Sequence, residues 1–296
     1  MTRSFVSQSA GLLRVYWSKG DFFMRTFTLF AALLAASSIP LPAQWINYPT
    51  VGFPKTPSGT PNLGAPAPRT ADGKPDLSGM WEADNTLPCN PDTENCTDLR
   101  ISKEFVNLGS AIEGGLPYQP WAAALMKSRR STQGKDDPAS RCLPAGVPRA
   151  VATPTVKKFI QTPGLLAILD EYNAGFRQIF TDGRPLPADP QPSWNGYSTA
   201  RWDGDTLVVE TNGLRDGMWI DAMGSPMSDQ ARVIERYHRV NYGNMEVEIT
   251  MNDPKTYTAP WTVKLHYFAV INTDLLDYIC LENEQDVKHL TAVAGK

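Results

Sequence analysis

WNGYSTARWDGDTLVVETN (residues 194–212) and ARVIERYHRVNYGNMEVEITMNDPKTYTAPWTVKLHYFAV (residues 231–270) decide the fold of this chain. Together they read as five short strands. Asp203-Gly204 separates Ser198–Trp202 from Thr206–Thr211, and Asp-Gly between two such runs is a strong hairpin signal. Asn241–Asn244 separates Arg232–Val240 from Met245–Met251, and Trp261–Val270 follows a Pro-containing turn. Strands that pair in order, with no helix between them, form an antiparallel meander. A long meander must hide its free edges, and closing on itself does so completely. The expected fold is therefore mainly β: an antiparallel up-and-down β-barrel with a short helical insertion. An antiparallel β-sandwich is the alternative, because periodicity does not separate the two.

Alternation gives the faces. Met245, Val247, Ile249 and Met251 share one side of their strand, and Glu246, Glu248 and Thr250 the other, as on a strand with one dry face. Arg232–Val240 differs. Val233, Glu235, Tyr237 and Arg239 share one face, Ile234, Arg236, His238 and Val240 the other, and neither face is apolar. One face is expected to turn charge inward, where it must be paired or meet a ligand.

The remaining chain is punctuated by prolines, 25 among 296 residues, which disfavour long helices. Leu77–Trp81 reads as the first strand, Pro120–Arg130 as a helix with Pro in its first turn and basic residues at its end. Lys157–Gln161, Leu165–Glu171 and Phe176–Thr181 read as further strands, and Leu275–Glu282 as a last one. Residues 76–296 are expected to form one barrel domain, with its helical insertion at about 101–131. Residues 44–75, rich in Pro, read as a linker or a strap lying on that domain.

Met24-Arg25 opens a signal-peptide pattern, with Phe27–Ile39 as its apolar core and Leu41-Pro42-Ala43 as its cleavage end. Residues 1–23 are then an extended n-region or follow a start placed too early. A periplasmic or secreted protein, without stable membrane insertion after cleavage, is expected. Export makes the four cysteines disulfide candidates, and spacing favours Cys89–Cys96 with Cys142–Cys280. The net charge of −3, with no run of Lys or Arg, argues against a nucleic-acid partner. The chain has no Cys-x-x-Cys, and His238, His266 and His289 are scattered, so no metal and no cofactor is expected.

Leu77-Ser78-Gly79-Met80-Trp81 is similar to the Gly-x-Trp signature on the first strand of lipocalins and related calycin barrels. At greater length, the chain resembles a group of secreted bacterial proteins abundant in acidobacteria. The phrases that carry this are residues 72–81, Cys142–Pro148, Thr181–Arg184, Trp202–Thr211, Glu235–Tyr237 and Asp253-Pro254. The resemblance implies secretion and a β-rich fold and brings no activity with it. The chain departs from lipocalins in its length and its early insertion.

A cup-shaped protein suggests a bound small molecule. Trp194, Trp202, Trp219 and Trp261 lie in the strand region, where an indole can stack on a ring. Glu171 and Glu235 sit in strand-like runs, as do Arg177, Arg236 and Tyr237. We expect Glu235, Glu171 and Arg177 to form a polar cluster inside a pocket walled by aromatics. Arg177, Trp194, Trp202, Arg236 and Tyr237 are the candidate ligand-binding residues of a small apolar or aromatic ligand. Glu171 and Glu235 are the candidate catalytic pair for the alternative, a hydrolase or lyase acting on a plant-derived glycoside or aromatic compound. A third reading is a fully packed barrel whose Pro-rich arm contacts a partner.

Overall fold

A computed structural model describes residues 48–83, 106–132 and 134–282 of the chain. The signal-peptide pattern and the Cys89–Cys96 loop lie outside these residues. The described residues form a closed barrel of nine strands. They are β1 (Gly79–Ala83), β2 (Lys157–Thr162), β3 (Leu165–Asp170), β4 (Gly175–Phe180) and β5 (Tyr197–Asp203), then β6 (Thr206–Asn212), β7 (Arg232–Arg239), β8 (Asn244–Asn252) and β9 (Trp261–Ala269). Each strand pairs with its neighbours in sequence, and β9 closes antiparallel on β1.

One joint departs from the up-and-down pattern: β4 and β5 run parallel. The reason is arithmetic. Directions that alternate around a ring cannot close on an odd number of strands, so nine strands need a parallel joint. A parallel joint needs a long crossover rather than a hairpin, and residues 181–196 supply it as an irregular loop. Elsewhere the turns follow their local chemistry. Asp203 pairs with Thr206, so the two-residue loop is Gly204-Asp205, one position later than the sequence suggests, with Gly204 at φ +59°. Leu275–Glu282, expected as a last strand, is not one. Its one bridge among the described residues joins Tyr278 to Tyr172.

Outside the barrel, α1 (Pro120–Ser131) begins on Pro120 and carries Arg129 and Arg130 in its last turn, as its sequence suggests. A short helix, α2 (Arg149–Ala152), lies between α1 and β2. Among the described residues no helix is long and apolar enough to cross a membrane. Residues 48–75 carry no strand and lie along the barrel. Gly243 N–H donates to Leu63 O at 2.8 Å and Tyr242 N–H to Ala65 O at 2.8 Å.

The stagger of the barrel positions the site. Trp81 pairs with Lys157 on one side and with Ala269 on the other. The last residues of β9 therefore lie level with the first residues of β2, as strand tilt in a closed barrel requires. Val233, Val247, Ile249 and Val263 fill the interior, each contributing about 1.5–3 kcal/mol relative to exposure. At one end Arg239 lies over the Trp81 ring at 4.8 Å and donates to the carbonyls of Ser78 and Tyr242, which ties β7 to the start of β1. The end bounded by the start of β2, the end of β3 and the start of β4 is left open.

Candidate functional site

On β7 the charged face that turns inward is Val233, Glu235, Tyr237 and Arg239. Glu235 is 0 % exposed and faces Arg177 of β4, which is 7 % exposed. Arg177 Nη1 donates to Glu235 Oε1 at 2.9 Å, and Nη2 donates to Glu235 Oε2. Nη2 also donates to Ser198 Oγ at 3.1 Å and Thr211 Oγ1 at 3.0 Å, and the Tyr237 hydroxyl donates to Glu235 Oε1 at 2.6 Å. Burial works against the Arg177 charge, but the charge and hydrogen bonds of Glu235 outweigh it and raise its pKa. A fork-to-fork pair of this kind is strong only when its other lone pairs and protons are also satisfied, and here Ser198, Thr211 and Tyr237 do this.

Above this pair lies a cavity of about 520 Å³. Phe159, Tyr237 and Tyr267 pack beneath it and are only 1–2 % exposed, with Phe159 edge-on to both tyrosines at 5.9 and 6.3 Å. Ile168 and Val151 add apolar wall. Burial, followed by the charge of Glu235, pushes both phenols well above the ordinary tyrosine range, so they stay protonated. Each donates a hydrogen bond within the protein, Tyr237 to Glu235 and Tyr267 to Val151 O.

The second charged pair of the wall is also closed. Lys157 Nζ lies 3.2 Å from Asp170 Oδ2 and donates to Thr153 O and Thr155 O. The segment from Pro144 to Thr153 covers one side of the cavity. It is held by a buried two-pronged pair, Arg149 to Asp137 at 2.7 and 2.8 Å. Gly146, at φ +67°, fits here because a Cβ would stand 2.5 Å from Trp194 O.

The sequence-predicted residues divide. Arg177, Tyr237 and Glu235 come together, and Trp194 lines the cavity, its ring 4.6 Å beneath the Arg215 guanidinium. The expectation that Glu171 joins this cluster is corrected. Glu171 follows β3, and its Oε1 accepts from Leu276 N–H at 3.0 Å, holding the C-terminal segment instead. Arg236 is corrected too: it is on the outer face of β7, paired with Asp203 at 3.0 Å. Trp202 is at the far end of β5, with Lys74 over its ring at 6.0 Å, and does not line the cavity. For Arg236 the reason is pleating, since one position along a strand reverses the side. Glu171 lies past the end of its strand, and Trp202 lies too far along its own.

Sequence reasoning missed Lys157, Phe159, Tyr267 and the covering segment. Tyr267 was legible in principle, because Trp261, Val263, Leu265 and Tyr267 alternate along β9. On the outer face, register sets His238, Glu246 and His266 in one row across β7, β8 and β9, a proximity that chain spacing hides. No family model, no curated protein and no solved structure matches this chain.

Proposed function

We propose that this is an exported protein that binds a small, neutral, largely apolar or aromatic molecule in the open end of its barrel. The observation that carries the reading is a roomy aromatic cavity whose charges cancel inside the protein. Arg177 is paired with Glu235 and Lys157 with Asp170, so the charged side chains that line the cavity are already balanced and an ionic guest would leave water without gaining a counter-charge from them. The volume of about 520 Å³ is within the range of ligand pockets, roughly 300–1,000 Å³. The Cys142–Cys280 bond supports an oxidising compartment.

N-phenyl-1-naphthylamine is a suitable probe, because it is neutral and has two aromatic ring systems. Its fluorescence is expected to rise on binding with a Kd on the order of 1 μM, about −8 kcal/mol. The sulfonated analogue, 1-anilinonaphthalene-8-sulfonate, should bind about tenfold more weakly or worse, because its charge finds no partner. Ala150 lines the cavity and is only partly buried, so Ala150→Trp should fill the space and weaken the neutral probe at least tenfold. No binding to the wild type, tighter binding of the sulfonate, or an unaffected Ala150→Trp variant would each overturn the reading.

A further inference from the structure

We infer that the barrel wall is open between β4 and β5, and that the ligand lies across this opening with a second ring seated outside against Phe176. The inference rests on the cavity reading above and adds the shape of the guest. The β4–β5 joint has two paired positions, Ile179 with Ser198 and Phe180 with Thr199. The antiparallel neighbours β7 and β8 pair over their whole length, from Arg232–Asn252 to Arg239–Met245. Before Ile179, β4 meets no strand on this side. A side chain spans the gap: Asn195 Nδ2 donates to Phe176 O at 2.9 Å.

The lining of the cavity follows this gap. Arg177 and Ser198 point into the barrel and are buried, whereas Phe176 and Gln178 point out and are exposed. Successive side chains of a strand stand on opposite faces. The cavity touches Phe176, Arg177 and Gln178 together, so it runs along the stretch of β4 that has no strand partner on this side. Its outer mouth is aromatic. Phe180 and Tyr197 are stacked on each other at 5.3 Å, and Arg184 covers Phe180 at 3.9 Å. Phe176 is 67 % exposed and has no ring partner among the described residues. Among the described residues it is an aromatic surface left free at the opening.

Size points the same way. About 520 Å³ equals the liquid volume of about 17 water molecules, more than one phenolic ring fills. The class that fits is an elongated, neutral molecule with two separate rings, one inside the barrel cavity and one on Phe176.

Two probes separate the subsites. N-phenyl-1-naphthylamine has a second ring to place outside, and 1-naphthol does not. Because Phe176 is exposed, Phe176→Ala should leave the melting temperature unchanged. It should weaken N-phenyl-1-naphthylamine about three- to tenfold, the range expected for one aromatic pair, and leave 1-naphthol within about twofold by calorimetry. Phe176→Trp should restore the affinity for the larger probe. If both probes bind the wild type and Phe176→Ala changes neither, or weakens both equally, the outer subsite is wrong while the cavity reading stands. If neither probe binds the wild type, the cavity reading itself fails and this inference falls with it.

Discussion

Glu235→Gln is expected to lower the unfolding free energy by about 3–5 kcal/mol, the usual cost of removing one partner from a buried ion pair. The substitution keeps the shape of the side chain. It leaves the Arg177 guanidinium buried without its counter-charge, and Ser198 and Thr211 cannot replace that charge. Replacing both members, Arg177→Met with Glu235→Leu, should recover much of the loss, because the desolvation of two charges is then relieved together. Urea denaturation of the wild type and both variants measures this. A change below about 1 kcal/mol for Glu235→Gln would mean that water reaches the pair. A fall in probe affinity with stability unchanged would give Glu235 a role in binding rather than in holding the wall.

The Cys142–Cys280 bond closes a loop across 138 positions of sequence. Cys142→Ser combined with Cys280→Ser should therefore cost on the order of 4–5 kcal/mol by the chain-entropy relation. For a domain of this size that lowers the melting temperature by roughly 10–15 °C. The bond anchors the C-terminal segment on the β3–β4 turn, where Asn173 bonds to both Cys142 O and Cys280 N–H at 2.9 and 3.0 Å. Scanning calorimetry of the double variant gives the value. A loss under about 1 kcal/mol would show that the bond does not restrain the unfolded chain as its loop length requires.

The barrel was legible because its signals are local. The alternation in Met245–Met251 and the Asp-Gly turn need no knowledge of the rest of the chain. The parallel β4–β5 joint was not legible, because it follows from the total number of strands and from the closure of the ring. The inward turn of Glu235 was half legible: its strand showed that one charged face must be buried, and its shared face with Val233 and Tyr237 indicated which. Glu171 misled for the opposite reason. It stands at the end of β3, where the chain leaves the sheet, and a strand-like run does not reveal where pairing stops. Lys157 and Asp170 were hidden because their relation is set by the β2–β3 register, in which they face each other.

Whether a neutral guest occupies the interior of the barrel is decided by methyl NMR during titration with N-phenyl-1-naphthylamine. The methyl signals of Val147, Val151 and Ile168, which line the cavity, should move and saturate together, while those of Ile249 and Val263, packed elsewhere in the core, stay in place. Signals that do not move at saturating probe, or that move only on the outer face at Thr250 and Thr262, would refute an interior site.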